Sequence, residues 1–168
     1  MRAHLSPSRP MERSLTPLDY AYRLLAQRSY SEVQLAEKML AKGFTEAAVA
    51  RTVARLKEQG YLNDARLAAD TAERLRQRGF GQERIREKLT QHGIAADTAT
   101  TVLATTSSDD EREDAQRFLA SRFSADTLKQ PKIVARAFRL LISRGYPQEV
   151  VEQLLGSGFD SASYAEEA

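Results

Sequence analysis

The sequence of 168 residues contains no cysteine and only two histidines. The absence of cysteine excludes a disulfide framework, a thiolate metal site and a cysteine nucleophile, and it suits a reducing, cytoplasmic environment. The histidines, His4 and His92, are too few for a histidine metal site or a catalytic triad. No glycine-rich phosphate loop is present either. We therefore expect no enzyme active site, no metal and no cofactor.

Long apolar runs and a strong net charge are also missing. No stretch approaches the roughly 18 consecutive apolar residues that a membrane-spanning helix requires. Residues 1–16 contain three arginines but no apolar run, which fits neither a signal peptide nor an anchor. We interpret them as a disordered basic arm and residues 161–168 as a flexible tail. The net charge of +2 means that a binding surface must come from local segregation of charge.

Glycine is scarce, yet six of the eight glycines are followed at once by a large apolar residue. Another apolar residue stands four positions before each of them, which is the spacing of a Schellman helix ending. In that ending glycine takes the left-handed conformation and the next residue packs back on the helix. The pattern occurs at Gly43, Gly60, Gly79, Gly93, Gly145 and Gly158. It indicates a chain of short helices and sharp turns that presents surface rather than a reactive pocket.

Helix starts complete the organisation. Ser31, Thr45, Asn63 or Asp64, and Ser108 are suitable N-cap residues, and apolar residues recur at helical spacing after them. The sequence thus predicts an all-α fold of nine helices in three tandem three-helix repeats. We place repeat 1 at 17–62, repeat 2 at 63–106 and repeat 3 at 107–160. We expect the first helix of repeat 2 to bury Ala65, Ala68, Ala69, Ala72 and Leu75, and we expect aromatic residues that follow the glycines to lie in the core.

Several segments resemble the RecX regulatory proteins of bacteria. The segment from Gly60 to Ala68 (GYLNDARLA) is the most specific, and further similarity lies in LDYA from Leu18, RSYS from Arg28, KGF from Lys42, Arg84-Ile85, Gly93-Ile94, FRLL from Phe138 and RGY from Arg144. One departure is Gln82, which follows Gly81 where the family usually has proline. The resemblance covers about 18–159. It implies three three-helix repeats in an elongated curved rod, a role in restraining RecA, and no catalytic site.

One candidate binding surface lies in the otherwise acidic third repeat. Residues 127–148 contain five basic residues and no acidic one: Lys129, Lys132, Arg136, Arg139 and Arg144. On a helix, Lys132, Arg136 and Arg139 form a stripe beside the apolar face; we call these three residues the basic stripe. Such a stripe could bind phosphate or carboxylate groups. The competing interpretation is a solvated face that pairs with the acidic run Asp109 to Asp114.

Two weaker candidates lie in the other repeats. Arg84 and Lys88 form a shorter basic stripe without an evident acidic partner. Arg51 and Arg55 share the exposed face of the helix after Thr45, where a recognition helix could meet DNA. The alanines beside them offer little base-edge chemistry, so sequence-specific reading is not expected. By contrast, Arg66, Asp70 and Arg74 alternate in charge at i, i+4 spacing, which favours a self-paired, solvated face.

Two functional hypotheses from different classes remain open. The first, which takes its partner from the resemblance, is a monomeric negative regulator that binds along the groove of the RecA–DNA filament and inhibits ATP turnover, strand exchange and coprotease activity. The second is a helix-turn-helix type protein that binds single- or double-stranded DNA directly. A membrane partner is not expected.

Overall fold

The computed structural model describes residues 15–156, which form nine α-helices, a short 3₁₀ turn and no β-strand. The helices are α1 Pro17–Leu25, α2 Glu32–Ala41, α3 Glu46–Glu58, α4 Asp64–Gln77, α5 Gln82–Gln91, α6 Ala96–Leu103, α7 Ser108–Ala120, α8 Pro131–Ser143 and α9 Gln148–Leu155, with the 3₁₀ turn at Thr127–Lys129. The predicted all-α architecture of tandem three-helix repeats is confirmed. The residue boundaries between repeats stay predictions, and we use them as working divisions.

The predicted helix endings are present at five glycines. Gly43, Gly60, Gly79, Gly93 and Gly145 all have positive φ, between 75° and 98°. At each, the N–H after the glycine donates to the carbonyl of the apolar residue five positions earlier, as from Tyr146 to Leu141 at 3.2 Å. The sixth predicted ending, Gly158, lies outside the described residues. Helix α9 ends earlier than expected, at Leu155, and the following Gly156 has positive φ.

Each repeat has its own apolar core. Leu35, Met39 and Leu56 are fully buried in repeat 1, Ile85 and Leu89 in repeat 2, and Leu141 and Val151 in repeat 3. Three expectations about burial are wrong. Ala65 and Ala69 are exposed, because α4 turns Ala68, Thr71, Ala72 and Leu75 towards its neighbours instead. Tyr61 is 59% exposed and packs edge-on against Tyr22 at 5.2 Å between ring centroids.

The N-caps differ from prediction at one helix. Ser107, not Ser108, caps α7, because its hydroxyl accepts the N–H of Asp110 while the Asp110 carboxylate accepts the N–H of Ser107, which together form a capping box. The Ser107 hydroxyl also donates to that carboxylate at 2.7 Å, and this bond, with the one from the Ser107 N–H, holds the pKa of Asp110 below its usual range. At α4 the two candidate N-cap residues have different roles. Asn63 caps the helix, which leaves the carboxylate of Asp64 available to repeat 1.

The first joint connects repeats 1 and 2 where the N-terminus of α2 meets the C-terminus of α5. The fully buried hydroxyl of Ser31 caps α2 and donates to the carbonyl of His92 at 2.6 Å. The carboxylate of Asp64 accepts the N–H of Glu32, the first residue of α2, at 3.1 Å. Within repeat 1, Lys57 also pairs with the Glu32 side chain at 2.8 Å. The joint is therefore made mainly by groups that satisfy two helix ends at once.

The second joint repeats this arrangement between repeats 2 and 3. The N-terminus of α5 meets the C-terminus of α8, where the N–H groups of Gly81 and Glu83 donate to the carbonyls of Arg144 and Gly145 at 2.9 and 3.1 Å. A carboxylate again completes the contact, since Glu111 accepts the N–H of Gln82 at 2.9 Å. The second helices of the three repeats thus follow one another end to end, in the order α8, α5, α2.

The carboxylates at both joints are partly or wholly removed from water. Burial raises the pKa of Glu111 above its ordinary value, and the N–H of Gln82 opposes this without cancelling it. Burial likewise raises the pKa of Asp64, again against the bond from Glu32. Glu111 is only 6% exposed. Because its folded-state pKa is raised, Glu111 contributes stability that is fully present below its unfolded pKa, about 4.3, and lost as the pH rises through the folded pKa.

We expect Glu111→Gln to melt a few degrees above the wild type at pH 7, because a neutral amide oxygen can accept the Gln82 N–H without the cost of a buried charge. The difference should shrink as the pH falls and disappear near pH 4, where the wild-type carboxyl is protonated. Thermal unfolding from pH 4 to 7 measures this. Glu113→Gln, on the exposed face of the same helix, is the control and should not change the melting temperature. A Glu111→Gln protein that is less stable than wild type at pH 7 would show that the charged carboxylate stabilises the joint.

Candidate anion-binding surfaces

The basic stripe lies on the exposed face of α8. Lys132, Arg136 and Arg139 are all exposed, and within residues 15–156 none of them forms an ion pair. The opposite side of α8 is in the core of repeat 3, through Ala137 and Leu141. The stripe is therefore three cations on a rigid, anchored helix, with no acidic partner among the described residues.

Four of the five acidic residues in the run that could have neutralised the stripe have other partners, and Glu113 forms no ion pair within the described residues. Asp109 pairs with Arg112 at 3.7 Å, and Asp114 pairs with Arg117, all within α7. Asp110 is in the capping box and Glu111 is in the second joint. The interpretation of the stripe as a face paired with Asp109 to Asp114 is therefore not supported by the geometry.

The start of α8 adds to the positive potential. In the described part of the chain, α8 is the one α-helix with no acidic residue in its first turn. An acid there would stabilise the partial positive charge of the helix N-terminus, whereas Lys132 adds to that charge. The arrangement costs stability in the isolated protein and favours an external anion.

The remaining predicted cations of repeats 2 and 3 are engaged with the protein itself. Lys129 pairs with Asp126 at 2.8 Å, although both are largely exposed. Arg84 pairs with Glu87 at 2.7 Å, so the expectation that it lacks an acidic partner is wrong; the partner lies one turn along the same helix. Lys88 lies over the ring of Phe80 at 5.7 Å. Arg144 bridges repeats 2 and 3 through a hydrogen bond to the carbonyl of Arg78.

A cleft at the second joint brings Arg144 together with arginines that the sequence did not assign to a site. The cavity has a volume of about 560 Å³ and is lined by Arg76, Gln77, Arg78, Gly79, Phe80, Asp114, Arg117, Phe118, Ser121, Arg122 and Arg144. We call it the joint cleft. Arg78 and Arg122 are far apart in sequence, and only the stacking of repeat 3 on repeat 2 brings them to one cavity. No local sequence signal could have revealed this.

The candidate DNA-reading residues of α3 lie apart from these surfaces. Arg51 and Arg55 are exposed, without an ion pair among the described residues, and line a cavity of about 290 Å³ with the start of α1. The fold therefore does not bring them together with the basic stripe. Within residues 15–156, moreover, no group of three or more histidine or acidic side chains could hold a metal ion. Every helix between residues 15 and 156 is too short or too polar to span a bilayer.

Comparison with known proteins decides the family. Residues 18–56 match the first three-helix domain of RecX, and residues 63–103 match the second. The regulatory protein RecX of Mannheimia succiniciproducens is 31% identical over 147 residues, which cover 86% of this chain and 95% of that protein. The chain belongs to the RecX family. A RecX protein of Acidithiobacillus ferrooxidans is 34% identical over 143 residues, or 84% of this chain and 90% of that protein.

Solved RecX structures agree with the fold. RecX from Lactobacillus salivarius superposes with a TM-score of 0.75 at 13% identity, covering 83% of this chain and 92% of that one. A second structure of regulatory protein RecX gives a TM-score of 0.69 at 20% identity and covers 82% of this chain and 69% of that one. At such identities these likenesses concern the arrangement of helices, and they support the tandem-repeat architecture of this RecX family member.

Proposed function

We propose that this protein is a negative regulator of RecA that binds along the groove of the RecA–DNA filament in the cytoplasm. It acts as a monomer and by binding alone, and it lowers ATP turnover, strand exchange and coprotease activity. Family membership supports a regulatory role, and the relatives it matches are regulatory proteins by name. The observation that carries the binding mode is the basic stripe on α8, which has no acidic partner among the described residues.

The repeat architecture supports a filament as the partner. The two joints have the same construction, so successive repeats present their second helices in succession. A partner with its own helical repeat can be met by several repeats at once, and weak contacts then add through effective concentration. A ligand that spans several subunits also affects more of them than it occupies.

A sub-stoichiometric amount of the protein is expected to lower the ATPase rate of RecA on single-stranded DNA, because one bound molecule restrains several neighbouring subunits. The measurement is a titration of steady-state ATP hydrolysis with RecA and DNA fixed. DNA-independent ATP hydrolysis by RecA, run in parallel, is the control, since no filament on DNA is present there. Absence of inhibition at every ratio would contradict the proposal.

The same titration tests the second hypothesis. If the protein acts as a helix-turn-helix type DNA binder through α3, inhibition should require enough protein to coat the DNA and should be relieved by adding free duplex. Changing Arg51 and Arg55 to alanine would then abolish the effect, since both are exposed and unpaired within the described chain. On the RecA proposal this pair should matter less than the basic stripe.

A further inference from the structure

The joint cleft holds three guanidinium groups in a row over two aromatic rings. Arg144 lies between the rings, 4.8 Å from the centroid of Phe80 and 4.7 Å from that of Phe118. Arg78 lies over Phe80 at 6.0 Å, and Arg122 over Phe118 at 5.5 Å. The cations are therefore neighbours, brought together from the ends of α4, α7 and α8.

This row has no acidic partner. Within the described residues, none of Arg78, Arg122 and Arg144 forms an ion pair. The acidic side chain that lines the cleft, Asp114, pairs with Arg117 instead. The aromatic faces offset part of the repulsion among the three cations, but a ring quadrupole is weaker than a full negative charge. An external anion would complete the cluster.

The middle arginine is held in place. Its Nη1 atom donates to the carbonyl of Arg78 at 3.1 Å, and Phe118 beneath it is only 8% exposed. Arg78 and Arg122 are exposed. The side chain of Arg144 is therefore fixed at the centre of the site, and the exposed side chains of Arg78 and Arg122 on either side can adjust to a ligand. Guanidinium groups in a row can bind the oxygens of successive phosphates through paired N–H donors.

We propose that the joint cleft binds the phosphodiester backbone of a nucleic acid, without reading its bases. Three features favour this ligand. The exposed Arg78 and Arg122 line the same cavity of about 560 Å³ as Arg144, so a continuous chain can meet all three. The rings lie under guanidinium groups, which leaves them unavailable for base stacking. The cleft also adjoins the C-terminal end of α8, and Lys132 at the other end lies about 18 Å away along the helix axis.

The test uses the full chain without RecA, so its outcome is separate from that of the RecA proposal. Fluorescence anisotropy with a labelled oligothymidylate and with a duplex of equal length measures affinity over a series of salt concentrations. Changing Arg78→Gln together with Arg122→Gln should weaken binding to the single strand about tenfold, and the logarithmic salt slope should fall by about 0.7 for each phosphate no longer neutralised. Duplex binding should fall as well, with a decrease of about 0.9 per phosphate.

The matched control is Arg66→Gln with Arg74→Gln, which removes the same charge from the exposed face of α4 and should change neither affinity nor slope. Arg122→Lys keeps the positive charge but loses the planar pair of N–H donors. This variant should bind the oligonucleotide less tightly with an unchanged melting temperature, which separates an effect on binding from an effect on folding. Equal losses in the control pair would overturn the proposal. The proposal would also be overturned if changing Arg78 and Arg122 left oligonucleotide binding intact but weakened binding of a polyglutamate peptide. The ligand would then be an acidic protein.

Discussion

Gly145→Ala is expected to destabilise the protein by about 3 to 4 kcal/mol. Two costs add at this position. Gly145 has a φ of +84°, where a side chain costs about 1 to 2 kcal/mol. A Cβ atom would also overlap the backbone nitrogen of Arg84 across the second joint, and overpacking against backbone costs about 1 to 3 kcal/mol.

Two other glycines separate these costs. Gly60 has a φ of +75°, but no atom lies within 4 Å of the position that a Cβ would take, so Gly60→Ala should lose only the conformational part. Gly81 has an ordinary φ of −80°, but its Cβ would overlap the carbonyl oxygen of Gly145, so Gly81→Ala should lose only the steric part. Urea unfolding of the three variants measures the free energies. A Gly145→Ala protein no less stable than Gly60→Ala would show that repeats 2 and 3 do not stack as described.

Changing Lys132, Arg136 and Arg139 together to alanine should weaken binding to the RecA–DNA filament about a hundredfold. Losing three exposed ion pairs of up to about 1 kcal/mol each costs up to about 3 kcal/mol, and each 1.4 kcal/mol is a factor of ten. The three side chains are exposed and unpaired among the described residues, so thermal stability should hardly change. The logarithmic salt slope should flatten by about 0.7 to 0.9 for each phosphate that the variant no longer neutralises.

Arg66→Ala with Arg74→Ala is the comparison for this variant. Arg66 faces Asp70 at 4.0 Å, as predicted, whereas Arg74 donates to the Thr71 hydroxyl and has no acidic partner within the described residues, so the predicted self-pairing holds for Arg66 and not for Arg74. The pair should change filament binding much less than the stripe variant does. If the Arg66 and Arg74 variant lost more filament affinity than the stripe variant, the binding surface would lie on repeat 2.

The helices were predictable because their signals are local. Each glycine ending depends on residues within six positions, and each N-cap on residues within three, so both can be read along the chain. Errors arose where tertiary contacts decide the outcome. Ala65 and Ala69 fit an apolar stripe, but α4 is rotated so that Thr71 is buried in their place. Tyr61 follows its glycine as expected, yet it stays 59% exposed beside Tyr22.

The candidate sites divide in the same way. The basic stripe occupies one face of one helix, so helical periodicity was enough to find it. Arg84 was misjudged although its partner Glu87 is only three residues away, because several partners were possible and spacing alone does not choose among them. The row of Arg78, Arg144 and Arg122 depends on the stacking of two repeats. Neither periodicity nor spacing carries that information.

The end-to-end succession of α8, α5 and α2 gives this part of the molecule an electric dipole along the three helices. At each joint the negative end of one helix meets the positive end of the next, so the inner poles largely neutralise each other. The two outer poles remain. Lys38 and Lys42 offset the negative pole at the end of α2, whereas Lys132 reinforces the positive pole at the start of α8. An anionic ligand that runs along the three helices should therefore be held more tightly at the start of α8 than at the end of α2.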